Sequence, residues 1–406
     1  MITNQILFDM KTLLPFIAIC LLFAGCSGKK QKTVSTKTEA DIQQTETKLS
    51  WYDGEKPFKF DEKENYPETN IKLSELAEAS YIPIGTNDST ILRLLGTCNG
   101  NDYCITSEHI YSQENQQKLY IFKIDGTPIK IINKQGEGPE DYSFISSYAV
   151  DTLNKEIFIQ DMYRKRTVVY DLDGNFKRTF PNLAKEIVEL NDSLLLNFFQ
   201  LNPKGPRYSV IRKDDGKTVL NLPIRFNIKL PTDTWGQLAY GSLIKTPQGA
   251  FMSNLQNDTI FEIKRNLSIT PRIIDISDYG TNFAQVHPTI ETARYLMFYI
   301  LCCHSCKPKV QQRFYIYDKK EKQIYKMTDY SGNSYWTLMD DYPHIQNWET
   351  TQNPNIAIRT RQVDALFQAE GKHGDAKLQE IIKHLNEDDN PVLQVMTFHD
   401  VNQVLK

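Results

Sequence analysis

The sequence lacks a complete set of catalytic residues. Its seven histidines are scattered along 406 residues, and none belongs to a HxxxH or similar pair that could hold a metal ion. Gly136 and Gly138 do not form a phosphate-binding loop, because Pro139 follows them and no Lys-Ser/Thr pair comes after it. We therefore identify no catalytic residue, no metal ligand and no cofactor from the sequence alone.

The chain also lacks a strong excess of either charge. Lys and Arg number 47 against 50 Asp and Glu, which gives a formal net charge of -3. Because the basic residues are scattered rather than clustered, nothing favours a nucleic acid as partner. The hydrophobic share of 40% is ordinary for a globular chain, and the 11% of aromatic residues favours a β-rich fold.

A long apolar run is found near the N-terminus. Met10-Lys11-Thr12 is a compact basic start, residues 13–23 are apolar but too few to span a bilayer comfortably, and "FAGC" ends at Cys26. This order resembles the bacterial lipobox, although Phe23 replaces the usual Leu. It predicts a lipoprotein signal peptide at residues 1–25, lipidation of Cys26, and translation from Met1 or Met10. An ordinary cleaved signal or an uncleaved anchor is the alternative.

Residues 27–50 are polar and have no apolar periodicity, which predicts a disordered tether. The lipidated cysteine and the tether are together assigned to residues 26–70, before the strand signals begin. Lipid chains hold a protein by burying their CH₂ groups in the bilayer, and several chains together anchor it firmly. The membrane is therefore an expected partner of the N-terminal part.

Residues 71–406 carry repeated strand signals separated by turns. "YIFKIDGTPIKII" and "TVVYDLDGNFKRTF" each join two β-type runs through an Asp-Gly turn, at Gly126 and Gly174, and Gly216 marks a third. The turns recur about every 40 to 50 residues, a period typical of propeller blades. The sequence therefore predicts an all-β fold, a six-bladed β-propeller. A solenoid or a β-sandwich is the alternative, but sandwiches show no such long period.

The predicted blades are 91–133, 142–180, 187–223, 242–276 and 295–327, with an irregular insertion near Pro308, and a sixth that begins near Trp336. A helical insertion of about 361–388 interrupts the last blade, because apolar residues recur there at i, i+3, i+4 and i+7, namely Leu378, Ile381, Ile382 and Leu385. This stripe would either bind a partner or pack on the propeller rim. The final strand "VLQVMTF" is expected to pair with "EASYIPI" from the start of the domain and so close the ring.

The segments "KQGEGPEDY" at residues 134–142 and "EDDNPVLQVMTF" near the end carry a resemblance. They resemble six-bladed β-propeller lipoproteins common in gut Bacteroidetes, which are related to NHL-type propellers. The resemblance covers roughly residues 71–406, with Glu140 in place of a usual Gly. It implies a fold and a location in the cell envelope, but no reaction. Surface lipoproteins of these bacteria often carry acidic residues after the lipidated cysteine, whereas "SGKKQK" is basic, so the periplasmic face of the outer membrane is favoured.

Two groups of cysteines invite a structural or metal-binding interpretation. Cys98 and Cys104 flank "NGNDY", and a hairpin there would place them opposite each other for a disulfide in an oxidising compartment. The "CCHSC" cluster at residues 302–306 has suitable zinc ligands, but four ligands within five residues cannot easily surround one tetrahedral ion. Buried or disulfide-linked cysteines are favoured there.

The candidate binding residues fall in two sets. Six-bladed lactonase-type enzymes bind an axial metal with acidic and amide side chains, and Asp151, Asp161 and Asn254 could lie near blade ends. A polar patch between two strands of the second blade is formed by Tyr163, Arg164 and Arg166. It would line a ligand-binding surface; the alternative is an ordinary solvated loop.

From these residues we expect a non-catalytic binding or scaffolding module for a glycan, peptide or protein. The alternative is a metal-dependent sugar hydrolase, lactonase or lyase with its site at the propeller channel.

Overall fold

The computed structural model describes residues 50–51, 56–69, 76–87, 92, 103–114, 116–199, 205–224, 241–246, 248–254, 257–278, 284–292, 294–302, 313–327, 349–350, 356–368 and 376–398. Twenty-seven strands lie within these residues and form six sheets. Four of them precede the first blade: β1 (Ser50–Trp51), β2 (Phe58–Phe60), β3 (Glu68–Thr69) and β4 (Ala77–Pro83).

The first three blades each consist of four consecutive antiparallel strands. Blade 1 contains β5 (Tyr103–Ile105), β6 (His109–Glu114), β7 (Lys118–Lys123) and β8 (Pro128–Ile132). Blade 2 contains β9 (Ser147–Asp151), β10 (Glu156–Asp161), β11 (Arg166–Asp171) and β12 (Phe176–Pro181). Blade 3 contains β13 (Glu186–Asn191), β14 (Leu194–Phe198), β15 (Tyr208–Arg212) and β16 (Thr218–Asn221).

The next two blades follow the same order and gain strands from the N-terminal part. Blade 4 contains β17 (Gly241–Thr246), β18 (Gly249–Asn254), β19 (Thr259–Lys264) and β20 (Ser268–Asp275). Blade 5 contains β21 (Ala284–Glu291), β22 (Tyr295–Cys302), β23 (Phe314–Asp318) and β24 (Gln323–Met327). The sixth sheet joins β4 to β25 (Glu349–Thr350), β26 (Ile356–Arg361) and β27 (Val392–Phe398).

The two ends of the domain close the ring in blade 6. β4 is antiparallel to β27 along its whole length, from Ala77 opposite Phe398 to Pro83 opposite Val392. The predicted pairing of "EASYIPI" with "VLQVMTF" is therefore confirmed. The pairing covers the outer edge of β27, which would otherwise expose unpaired backbone groups.

The N-terminal segment also runs along the two preceding blades. β1 and β2 lie parallel to β20 in blade 4, and β3 lies parallel to β24 in blade 5. Phe60 of β2 is fully buried in the apolar cluster between these blades. The range expected to be a tether, residues 26–70, therefore includes strands that pack on the propeller.

Apolar clusters between neighbouring blades hold the ring together. In the described residues, one such cluster lies at each of the six blade-to-blade junctions, including the junction of blade 6 with blade 1. The last junction exists only if the sheets close into a ring, because it packs the sixth blade on the first. Together with the six sheets, it shows the predicted six-bladed β-propeller.

The first strand of a blade lies nearest to the axis. β9, β13, β17, β21 and β25 contact one another in succession, and β17 also contacts β25. In blade 5 this strand, β21, was missed by the sequence prediction, which began that blade at Tyr295. Its Pro288 argues against a strand, but an innermost strand has a sheet neighbour on one side and a bulge follows Pro288, so the missing N–H is tolerated.

The two faces of the ring differ in their connections. On one face, here called the turn face, tight turns join the first strand to the second and the third to the fourth, as between Asp151 and Glu156. On the other, here called the loop face, the chain crosses between second and third strands and between blades. The connections from Ile132 to Ser147 and from Pro181 to Glu186 lie there, for example.

The predicted Asp-Gly hairpin turns lie on the turn face. Gly126, Gly174 and Gly216 have φ angles of 89°, 83° and 73°, which favour glycine. At Gly126 a side chain would also meet the neighbouring chain, because a Cβ atom would lie 2.1 Å from the carbonyl oxygen of Pro83. The turn of blade 1 therefore packs directly on the strand that closes blade 6.

Two helices of the described residues lie between β26 and β27, inside the predicted insertion at about 361–388: α1 (Val363–Gln368) and α2 (Ala376–Ile382). Leu378 and Ile382 of α2 are buried against Leu366 and Val392, and Tyr81 of β4 packs on the same cluster. The apolar stripe thus packs on the propeller rim.

Candidate functional site

A folded loop on the loop face of blade 2 is the best-described candidate site. Residues 134–142 turn back on themselves, since Tyr142 N–H donates to the Lys134 carbonyl at 3.0 Å and Gly136 N–H to the Tyr142 carbonyl at 3.1 Å. The Asp141 carboxylate accepts the N–H of Gly138 at 2.8 Å. A Cβ atom at Gly136 would lie 2.4 Å from that carboxylate, so a larger residue there would displace the Asp141 side chain.

Arg164 of the β10–β11 turn binds the tip of this loop. Its Nη2 donates to the Gly136 carbonyl at 2.7 Å and to Glu137 Oε2 at 2.8 Å, and its Nη1 donates to the Gly138 carbonyl at 3.4 Å. The Glu137 side chain is 99% exposed, whereas that of Arg164 is 21% exposed. The loop therefore presents an oriented carboxylate beside a partly covered guanidinium.

Arg166 and Tyr170 of β11 hold the second half of the loop. Arg166 donates to the carbonyls of Gly138, Pro139 and Asp141. The Tyr170 hydroxyl donates to the Glu140 carbonyl at 2.6 Å, and burial raises the pKa of this phenol beyond its usual range. Loop carbonyls outside regular structure are thus satisfied by side chains, which makes the loop a rigid part of the blade.

Asp161 binds Ser143, the residue that follows loop 134–142. It is fully buried, and its carboxylate accepts the N–H of Ser143 at 2.7 Å and the Ser143 hydroxyl at 2.8 Å. The N–H of Arg164 donates to it at 3.2 Å, so one carboxylate joins the incoming loop to the β10–β11 turn.

Exposed apolar side chains complete the surface. Tyr163 is 68% exposed, and its ring packs against that of Phe144 with centroids 5.0 Å apart and planes at 69°. Leu183 is 63% exposed in the connection to blade 3, and it follows Asn182, whose N–H donates to the Lys165 carbonyl at 2.9 Å. Both side chains therefore belong to the loop face of blade 2.

Four of the predicted site residues come together here: Asp161, Tyr163, Arg164 and Arg166. The other two lie elsewhere. Asn254 ends β18 in blade 4, opposite Gly241. Asp151 lies at the turn-face end of blade 2, buried against Lys213 Nζ and Asn154.

The hydrogen-bond partners of Asp151 stabilise its ionised form. Burial opposes ionisation of this carboxyl, but hydrogen bonds from Asn154 and Lys213 outweigh it and keep its pKa below the usual value. Lys213 Nζ also lies 2.9 Å from Glu189 Oε1, so the cation links blades 2 and 3.

The residues that sequence reasoning missed are Glu137, Phe144 and Tyr170. The string "KQGEGPEDY" did mark the loop, but its contacts with β11 depend on tertiary structure. In the described part of the chain, no three side chains of the His, Cys, Asp and Glu types are placed to hold a metal ion.

Only some of the cysteines with predicted roles lie within the described residues. Cys26 and Cys98 lie outside the described residues. Cys104 is buried in β5, and burial raises the pKa of its thiol. The disulfide between Cys98 and Cys104 stays a prediction.

Among the helices of the described residues, none has the length and apolar character needed to cross a bilayer.

Comparison with known proteins gives similar solved structures and a family. A candidate exported protein from Bacteroides fragilis NCTC 9343 has 15% sequence identity and a TM-score of 0.63, covering 85% of this chain and 100% of that chain. A member of the DUF4221 family from Bacteroides vulgatus ATCC 8482 has 9% identity and a TM-score of 0.49, covering 80% of this chain and 98% of that chain. No curated protein matches the chain. The family model described as "Domain of unknown function (DUF4934)" matches residues 57–397, and the chain belongs to this family.

Proposed function

We propose that this protein is a lipid-anchored propeller of the cell envelope that binds a glycan, peptide or protein at its loop face without catalysis. The observation that carries the proposal is the difference between the two faces. Tight turns close the turn face, whereas the rigid loop 134–142 and the exposed side chains of Tyr163 and Leu183 belong to the loop face. Binding residues of propellers and other rigid scaffolds are concentrated in such connections.

Preorganisation of the blade 2 surface favours binding. Arg164 and Arg166 hold the loop carbonyls, and Asp161 holds Ser143, before any ligand arrives. A ligand that meets an ordered loop loses less conformational entropy in binding than one that must order the loop itself. The exposed Tyr163 ring adds an apolar contact at a low entropic cost.

The envelope location rests on the N-terminal sequence. The lipobox-like "FAGC" supports lipidation of Cys26, and the basic residues that follow favour the periplasmic face of the outer membrane. The name of the similar Bacteroides fragilis protein, a candidate exported protein, is in keeping with export.

The metal-dependent hydrolase alternative finds less support. Its candidate ligands Asp151 and Asp161 lie at opposite ends of blade 2 and bind different partners. A catalytic site needs its groups within reach of one another.

The proposal is tested by calorimetric titration of the full chain in detergent with oligosaccharides, lactones and peptides, with and without divalent metal. Reaction products are measured in the same samples. We expect saturable binding of at least one ligand with no product formed. No binding across the panel, or turnover that is lost on chelation, would contradict the proposal.

A further inference from the structure

We propose that the ligand of the blade 2 surface is an uncharged glycan. Tyr163 would stack on a sugar ring, while Glu137 and Arg164 bind its hydroxyl groups. This inference rests on the proposed function and narrows its ligand class.

Tyr163 provides a stacking surface. The ring is oriented by its edge-to-face contact with Phe144, yet 68% of the residue stays exposed. The face of an aromatic ring carries partial negative charge, and it attracts the weakly positive C–H groups that cover one face of a pyranose. An oriented, exposed tyrosine therefore suits a sugar ring.

Glu137 and Arg164 provide hydrogen-bond acceptors and donors on the same face of blade 2 as this ring. The two side chains are joined by a 2.8 Å ion pair, and Arg164 follows Tyr163 directly in the chain. A carboxylate has about four lone-pair positions, of which Arg164 occupies one. Neighbouring hydroxyls of a sugar, each both donor and acceptor, can bind such a pair without adding charge.

The charge of the surface favours a neutral ligand. Residues 134–142 and 161–166 together contain four basic and four acidic residues: Lys134, Glu137, Glu140, Asp141, Asp161, Arg164, Lys165 and Arg166. Electrostatic complementarity would therefore not select a strongly basic or acidic peptide.

The test uses the full chain in detergent and neutral hexasaccharides of glucose, mannose, xylose or galactose. Binding is measured by calorimetry, and the contacting sugar protons are identified by saturation-transfer NMR. We expect one of these sugars to bind. Tyr163→Ala should weaken binding about tenfold, Tyr163→Phe should retain most of it because the ring remains, and Glu137→Gln should weaken it severalfold.

A matched control is Leu153, which lies at the opposite end of β10 from Tyr163. Leu153 is 67% exposed at the turn-face end of β10, so Leu153→Ala removes a similarly exposed side chain and should leave binding unchanged. Melting temperatures of all variants verify folding.

Three results would overturn the inference. The first is that none of the neutral sugars binds. The second is that Tyr163→Ala binds the sugar as tightly as the unchanged protein does. The third is that binding of a ligand is lost in Leu183→Asp but retained in Tyr163→Ala. The last would indicate a protein partner on an apolar surface. Peptide binding without sugar binding leaves the proposed function standing, whereas no binding of any ligand removes both.

Discussion

Asp151 and Asp161 stand at opposite ends of blade 2. Asp151 lies opposite Glu156, the first residue of β10, and Asp161 is the last residue of that strand. Five residue steps of extended chain separate the two ends, a length of about 17 Å. The two carboxylates therefore serve separate networks, one on each face, and each can be tested by itself.

Asp161 is expected to stabilise the loop-face surface. Asp161→Ala leaves the N–H and hydroxyl of Ser143 without their acceptor, which should lower the free energy of unfolding by about 1–3 kcal/mol. Urea denaturation measures the change. Asp192 is exposed in the turn between β13 and β14, so Asp192→Ala should change stability by less than about 0.5 kcal/mol. Equal losses in the two variants would contradict this role.

Asp151 is expected to make stability depend on pH through Lys213. Because the folded pKa of Asp151 lies below its ordinary value of 3.8, ionisation stabilises the fold above that value. The contribution is lost as pH falls through the lower folded pKa. Denaturation curves between pH 7 and pH 2 should show this loss.

Lys213→Met tests the same pair at neutral pH. It leaves the buried Asp151 carboxylate without its cation, and the expected loss is about 3–5 kcal/mol. Lys217 lies in the same turn, with its side chain 78% exposed and 3.3 Å from Asp215, so Lys217→Met should cost less than about 1 kcal/mol. Similar losses in the two variants would show that burial of the pair is unimportant.

Ring closure is expected to depend on β27. Met396 is buried between blades 5 and 6, whereas Thr397 of the same strand is exposed. Met396→Asp should lower the free energy of unfolding by roughly 3 kcal/mol or more, because a charge is buried without a partner, and Thr397→Asp should have little effect. Deletion of residues 391–406 should give an insoluble or strongly destabilised protein. A soluble deletion variant with an unchanged melting temperature would argue against closure by both ends.

Lipidation is expected to hold the protein at the membrane. Cys26→Ser should move it from the membrane fraction to the aqueous fraction, because acyl chains can no longer be attached. Cys20→Ser, within the predicted signal peptide, should leave it in the membrane fraction. Membrane association that persists in Cys26→Ser would favour an uncleaved anchor.

Much of the fold was predictable because its signals are local. Gly126, Gly174 and Gly216 mark hairpins through their backbone preference, and the apolar stripe at Leu378 and Ile382 marks a helix. The strands β1 to β3 were not predictable, because elements of two or three residues have no measurable periodicity. They form only where β20 and β24 offer an open edge.

The candidate site was predictable only as a set of residue types. Tyr163, Arg164 and Arg166 stood out as a polar patch, but sequence could not show that the two arginines bind backbone carbonyls about 25 residues away. Asp151 was selected together with these residues although it lies on the other face. Its sequence position near a strand end does not reveal on which face of the ring that end lies.

Hydrogen exchange across blade 2 tests the central claim most directly. The full chain in detergent is compared with and without a saturating ligand, and peptides covering residues 134–144 and 162–165 are compared with those covering 152–155 and 213–217. Binding at the loop face predicts slower exchange in the first pair and no change in the second, with the ligand recovered intact. Slower exchange confined to the turn-face peptides, or recovery of a cleaved ligand, would contradict the account.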